Sequence, residues 1–275
     1  MGARLSLPDL QAKAKTIRRH IITSTTAAGS GHPTSSLSAT DVATALYFGG
    51  ILRYDAKNPT WPARDKFILS KGHAAPLLYA ILAEAGYFSV DLLPTLRKIG
   101  SVLEGHPNMR RLPGVEASTG SLGQGLSIGV GAALAAKLDN TDARIYVLTG
   151  DGEIAEGQIW EAAMSAAKYR CDNLVLIVDQ NGYQQTGATT EVLDLRPLVP
   201  RFEAFGWFAQ EINGHDVNEI LGAFDRAKHI KGKPSAIIAR TIKGYPIHTL
   251  LASDPNHHGK PLTKEEADQA LAAIA

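Results

Sequence analysis

The chain has 275 residues, of which 44% are hydrophobic and 20% charged, with a formal net charge of +1. A chain of this length buries a large core, as one big α/β domain or two small ones, and its charge balance argues against nucleic acid or a membrane surface as partner, since both select a basic excess. No apolar run reaches the roughly 18 residues a membrane span needs, and the single cysteine, Cys171, forms no internal disulfide and supplies no metal cluster, which suits a reducing, cytoplasmic location.

The opening segment, Met1-Gly2-Ala3-Arg4-Leu5-Ser6-Leu7-Pro8, lacks the apolar core of a signal peptide, and Gly2 with Ser6 fits a myristoylation pattern only superficially. Helical spacing runs over residues 9–26 and stops at the breaker cluster Gly29-Ser30-Gly31-His32-Pro33. An apolar helix follows over 40–47, then a short strand over 67–69 that leads into Ser70-Lys71-Gly72-His73. Helices are predicted over 76–85 and 90–99, stopped by Gly86 and Gly100. A loop with Gly105-His106-Pro107 reaches Gly120-Ser121-Leu122-Gly123-Gln124-Gly125, and a small-residue helix spans 126–138. Its interior Gly129 and Gly131 each cost about 1 kcal/mol against alanine, so close packing against another backbone or a cofactor is expected there.

Two apolar runs then stand out. Ile145-Tyr146-Val147-Leu148 leads into Gly150-Asp151-Gly152, and Leu174-Val175-Leu176-Ile177-Val178 leads into Asp179-Gln180-Asn181-Gly182-Tyr183. Both are too short and too β-branched for helices and read as buried parallel strands. Residues 158–167 between them have helical composition, so the unit is a strand-helix-strand crossover, with Cys171 a packing residue at its end. The crossover sets a carboxylate and an amide side by side at the carboxyl edge of the sheet, where open α/β folds bind ligands. A lone Gly-Asp-Gly is a common turn. Coupled to an asparagine thirty positions beyond Asp151, it suits Mg²⁺, or Ca²⁺ or Mn²⁺, carrying a diphosphate. Further on, 198–205 and 216–228 read as helices, 207–212 and 235–241 as strands, and Thr263-Lys264-Glu265-Glu266 as a capping box opening a terminal helix. The alternation predicts one doubly wound α/β domain over residues 1–275, its mainly parallel sheet flanked by helices.

Four histidines sit in glycine-rich turns: His32, His73, His106 and His258. Imidazole hydrogen-bonds phosphate oxygens and the hydroxyls and oxyanion of a sugar near neutral pH. The motifs around them resemble those of the transketolase family. Ser30-Gly31-His32-Pro33, Asp65-Lys66-Phe67-Ile68-Leu69-Ser70-Lys71-Gly72-His73-Ala74, Glu104-Gly105-His106-Pro107, Thr119-Gly120-Ser121-Leu122-Gly123-Gln124-Gly125, Gly150-Asp151-Gly152-Glu153-Ile154-Ala155-Glu156-Gly157, Asn181 and His258-Gly259 occur in the family's order and cover nearly the whole chain. They match the amino-terminal, diphosphate-binding half of a full-length transketolase, which implies a thiamine-diphosphate-binding fold.

The resemblance also implies roles. Asp151, Asn181 and the Tyr183 carbonyl would hold the metal, and Gly152 and His73 would contact the diphosphate. Gly120 and Leu122 would line the cofactor cleft, and Ile242 would pack on the cofactor. His32, His106 and His258 would bind and polarise the ketose, with His258 also reaching toward the diphosphate and His73 bordering the channel. Glu156, ahead of Glu161, would join an acidic network linking two cofactors. Ser121, where the family often has proline, and Gly182, where a larger residue is common, depart from the pattern and bear on cleft shape.

The glutamate that holds the aminopyrimidine, and the arginines that bind substrate phosphate, belong in this family to the other, pyrimidine-binding half. The resemblance therefore implies one subunit of a split transketolase that works with a separate carboxy-terminal subunit, in an α₂β₂ assembly, on sugar phosphates. The alternatives are a 1-deoxyxylulose-5-phosphate synthase-like chain, a non-catalytic regulatory subunit, or a 2-oxo acid dehydrogenase alpha-like subunit. The histidine set argues against each of them.

Overall fold

In the computed structural model, which describes residues 4–274, five parallel strands form one sheet in the order β1-β2-β3-β7-β6. They are β1 (Lys66–Leu69), β2 (Ile145–Gly150), β3 (Leu174–Gln180), β6 (Phe208–Asn213) and β7 (Ser235–Arg240). Two short strands, β4 (Tyr183–Gln184) and β5 (Gly187–Ala188), pair separately as a hairpin beyond β3. Gly2, with its myristoylation match, lies outside the described residues.

Strand side chains alternate between two apolar cores, as a sheet covered on both faces requires. Tyr146, Leu148, Val175, Ile177 and Ile237 enter one core, with α1 (Leu7–Ala28), α2 (Pro33–Ser38), α3 (Thr40–Phe48) and α4 (Ala75–Glu84). Ile145, Val147, Leu174, Leu176 and Ile238 enter the other, with α5 (Gln124–Leu138), α6 (Gly157–Lys168) and α8 (Leu198–Ala204). A single turn, α7 (Thr189–Val192), precedes α8, while α9 (Val217–His229) and α10 (Lys264–Ala273) close the first core. The doubly wound α/β reading therefore holds. No helix among the described residues is long and apolar enough to cross a membrane.

The winding positions the cleft. Segments leaving β1 and β7 pass to the first core, while those leaving β2 and β3 pass to the second. In the order β1-β2-β3-β7-β6 the side changes twice, between β1 and β2 and between β3 and β7, and such partings at the carboxyl ends are where open α/β sheets bind ligands.

Two local expectations need correction, and one short helix is additional to those expected. Residues 90–99 form only a 3₁₀ turn, Val90–Thr95, because Pro94 sits inside it and supplies no amide. The breaker cluster at residues 29–33 is followed at once by α2, with Pro33 at its first turn where a missing N–H costs nothing. Gly129 packs as expected, since an added Cβ would meet Val147 Cγ2 at 2.5 Å, but Gly131 faces open space.

Candidate cofactor and substrate site

A cleft of about 220 Å³ opens at the carboxyl edge, lined among others by Lys71, His73, Leu122, Asp151, Asn181, Tyr183, Lys243 and His258. A larger cavity of about 620 Å³ lies at the opposite, amino edge beside Arg53, Asp65 and Arg144, and holds none of the expected cofactor, metal or substrate ligands.

Beneath the cleft floor, Asp179 is 1% exposed and accepts from Lys71 Nζ at 2.5 Å, Ser38 Oγ at 2.6 Å, Thr241 Oγ1 at 2.5 Å and Asn181 Nδ2 at 2.9 Å. Burial pulls its pKa upward, but the Lys71 charge and these hydrogen bonds outweigh that, and it lies below the ordinary value. Since Asn181 gives its amide nitrogen to Asp179, its Oδ1 is turned away and accepts the Tyr183 N–H at 3.1 Å. Side-chain packing thus sets which end of the amide faces which way.

Asp151, 7% exposed, accepts from the backbone of Gly152 at 3.0 Å and of Gly182 at 2.7 Å. Gly182 has φ +82°, a left-handed turn in which its amide points back to Asp151, so glycine suits this position. Burial and then the charge of Asp179 push the Asp151 carboxyl up to about 7. A desolvated carboxyl beside a second carboxylate is the electrostatic setting that a divalent cation relieves. The oxygen set of Asp151, Asn181 and a backbone carbonyl matches the preference of Mg²⁺ or Ca²⁺ for hard ligands. Among the described residues no cluster of three or more His, Cys, Asp or Glu side chains could hold a metal. An ion here would rely on one carboxylate, neutral oxygens and the oxygens of its ligand.

Three of the four glycine-flanked histidines meet. Ring centroids lie 5.1 Å apart for His32 and His73, 5.0 Å for His32 and His258, and 5.3 Å for His73 and His258. Burial, followed by the charges of His258, Arg97, His106 and Lys243, lowers His32 to about 3. Burial and then Lys243 and Lys71 lower His258 to about 4, and His73 falls well below the ordinary value for the same first reason. All three rings are therefore neutral at pH 7. His258 Nδ1 lies 3.0 Å from Lys243 Nζ. An ammonium only donates, so Nδ1 accepts and the ring proton sits on Nε2. His106 is exposed and lies against Gly120, where an added Cβ would meet its ring at 3.2 Å. Burial of part of the ring and the Arg97 charge lower its pKa as well.

Two further residues that line the cleft, Lys243 and Glu153, have no role that the sequence motifs imply. Lys243 is 3% exposed and donates to Asn256 Oδ1 at 2.8 Å. Burial and the Lys71 charge lower it to about 8. Glu153, not Glu156, is the buried acid of its loop, accepting from Ser70 Oγ at 2.5 Å and from the amides of Gly123 and Gly150 at 3.0 Å each. The 3₁₀ turn Glu153–Ala155 points it inward. Glu156 is exposed at the cleft rim and makes no side-chain cap bond, and Glu161 is exposed on α6. Gly152 is needed even without a ligand, because a Cβ there would lie 2.4 Å from Gln184 Cβ. Leu122 and Ile242 are 36% and 44% exposed at the rim, where a cofactor or second chain would cover them.

The thiamine diphosphate binding domain of transketolase matches residues 10–274. The 6-deoxy-6-sulfo-D-fructose transketolase subunit of a Clostridium species is 48% identical, over 97% of this chain and 96% of that protein. A subunit of the apulose-4-phosphate transketolase of Actinobacillus succinogenes is 42% identical, over 97% of this chain and 96% of that protein. Among solved structures, transketolase from Campylobacter jejuni superposes with a TM-score of 0.92 at 36% identity, covering 98% of this chain and 43% of that one. The chain thus spans almost all of two subunit relatives and less than half of a full-length enzyme. It belongs to the transketolase family and carries that family's amino-terminal thiamine diphosphate binding domain.

Proposed function

We propose that the chain, one domain over residues 1–275, is the diphosphate-binding subunit of a split, Mg²⁺- and thiamine-diphosphate-dependent transketolase. It would move a two-carbon ketol unit from a ketose phosphate to an aldose phosphate, in the cytoplasm, with a separate pyrimidine-binding subunit in an α₂β₂ assembly. The observation that carries this reading is one cleft lined by an oxygen donor set, Asp151 with Asn181, and by His73 and His258, with the His32 ring packed against both imidazoles. Similarity to two proteins named as subunits, each matched along 96% of its own length, supports the split arrangement. Similarity to transketolases favours ketol transfer over the synthase and dehydrogenase alternatives.

In this reading Asp151, Asn181 and the Tyr183 carbonyl hold the metal. Gly152, His73 and the Lys243 ammonium face the diphosphate. Gly120, Leu122 and Ile242 line the cofactor's rings, and Glu156 reaches from the rim toward the acidic network between two sites. Bound thiamine diphosphate supplies the carbanion chemistry that breaks and remakes the carbon-carbon bond. The protein's part is to hold the ketose and manage its protons. His258, its Nε2–H fixed by Lys243, donates toward a sugar oxygen, while neutral His32 and His106 bind hydroxyls and the carbonyl.

Alanine at His32, His106 or His258 is expected to lower kcat/KM for the ketose by about 10²-fold in the reconstituted enzyme. Cofactor affinity should change far less at His32 and His106. At His258 it should fall modestly, because Lys243 loses a partner. Steady-state kinetics of the three variants with cofactor titrations decide the matter, and wild-type kinetics in all three would remove the histidines from the mechanism.

A further inference from the structure

Arg97 stands in the left-handed region at φ +57°, a conformation that side-chain-bearing residues hold only when their surroundings enforce it. Its amide donates to Leu103 O at 2.8 Å, closing the loop that follows the 3₁₀ turn. Its guanidinium then reaches between two other loops. Nη1 donates to Ser30 Oγ at 2.8 Å, two residues before His32, and Nη2 donates to Gly105 O at 3.2 Å, one residue before His106. An added Cβ at Gly105 would lie 3.3 Å from Arg97 Cζ, so the glycine lets the guanidinium lie against backbone. Among the described residues no carboxylate pairs with Arg97, and its Nε is buried without a partner. A half-buried cation without a counter-charge is costly, and here it sits beside the two imidazoles assigned to the ketose.

We propose that Arg97 is a positioning residue for ketol transfer: its guanidinium ties the loop before His32 to the loop before His106 and sets the field in which both rings act. This rests on the assignment of His32 and His106 to the substrate. The tie is geometric, since one planar fork bonds both loops and fixes their separation. It is also electrostatic. His32 faces His258, His73, His106, Lys243 and Arg97, and His106 faces Arg97 and His32. After burial, the Arg97 charge is among the causes that disfavour the imidazolium form of each ring. Removing that charge raises both pKa values, so the neutral rings are lost at a higher pH as the solution is acidified.

The test measures kcat/KM for the ketose against pH, and cofactor Kd, in the reconstituted enzyme carrying Arg97→Ala, Arg97→Lys or Ser30→Ala. Arg97→Ala should lower kcat/KM at least about tenfold and move the acid limb of the profile up by about half a unit. Its cofactor Kd should stay within about threefold of wild type. Arg97→Lys keeps the charge and loses the fork, so kcat/KM should fall with the acid limb in place. Ser30→Ala should do the same more weakly. An acid limb that does not move in Arg97→Ala, or a cofactor Kd that weakens in step with activity, would make Arg97 a merely structural residue and overturn the proposal. If Arg97→Ala does not fold, unchanged kcat/KM in both other variants would overturn it. His32→Ala and His106→Ala in the same assay separate the two ideas. Wild-type behaviour there defeats the histidine assignment, whereas impairment there with wild-type Arg97 variants defeats only the role of Arg97.

Discussion

Asp151→Ala is expected to abolish Mg²⁺-dependent binding of thiamine diphosphate while the protein stays folded. Asp151 brings the one carboxylate of the proposed metal ligand set, and the site depends on its charge. Without cofactor that carboxyl contributes little stability. It is buried, lies beside Asp179 and is held up at about 7, so its removal relieves repulsion while freeing the Gly152 and Gly182 amides. Asp151→Asn preserves an acceptor for Gly182 but not the charge, and should bind cofactor with metal at least about 10²-fold more weakly. Asn181→Ala should weaken it too, since it removes the amide whose oxygen Asp179 turns toward Tyr183. Titrating cofactor and Mg²⁺ into each variant, reconstituted with its partner, and melting each without cofactor, separates ligand loss from unfolding. Wild-type affinity in Asp151→Ala or Asn181→Ala would remove that residue from the metal site.

The second large effect concerns the floor of the cleft. Lys71 and Asp179 are each 1% exposed and bonded at 2.5 Å, and Lys71 also donates to Ser35 O at 2.7 Å. Lys71→Met leaves a buried carboxylate without its counter-charge, which costs about 3–5 kcal/mol, a large share of the roughly 5–15 kcal/mol by which a domain is stable. The pH dependence has a definite sign. The Asp179 pKa is depressed in the fold, so its contribution is present above the ordinary value of 3.8 and is lost as pH falls through the lower, folded value. In Lys71→Met the carboxyl takes up a proton instead, so the stability gap from wild type should narrow as pH falls. Lys71→Met with Asp179→Asn should recover most of the loss. Denaturant melts of the three variants at several pH values check this, and an additive double variant would show that the pair does not act as a unit.

The contrast between these residues marks what was legible in the sequence. Gly150-Asp151-Gly152, Asn181 and the glycine-flanked histidines are local signals, because strand, turn and ligand lie within a few residues of one another. The sheet was legible for the same reason, from short β-branched runs between helical stretches. Lys71 and Asp179 are 108 positions apart, and Ser70 and Glu153 are 83 apart. No local pattern joins them, since parallel strand order alone brings the residues after β1 beside the end of β3 and the turn after β2. Glu153 and Glu156 lie in one motif, and only the turn between them decides which faces inward. Arg97 gave no signal, since its left-handed backbone and its reach to Ser30 and Gly105 exist only after three loops have packed. At 90–99 the helical spacing runs through Pro94, whose missing amide confines that segment to a 3₁₀ turn.

The most direct test of the account is ketol transfer by this chain with thiamine diphosphate and Mg²⁺, with and without a separately purified pyrimidine-binding transketolase subunit. The exposed rim at Leu122 and Ile242 and the 43% coverage of a full-length enzyme motivate it. No turnover is expected from the isolated chain, with transfer when the second subunit is added and loss of that transfer when Mg²⁺ or the cofactor is withheld. Substantial turnover from the isolated chain, or transfer by the pair without thiamine diphosphate, would contradict that expectation.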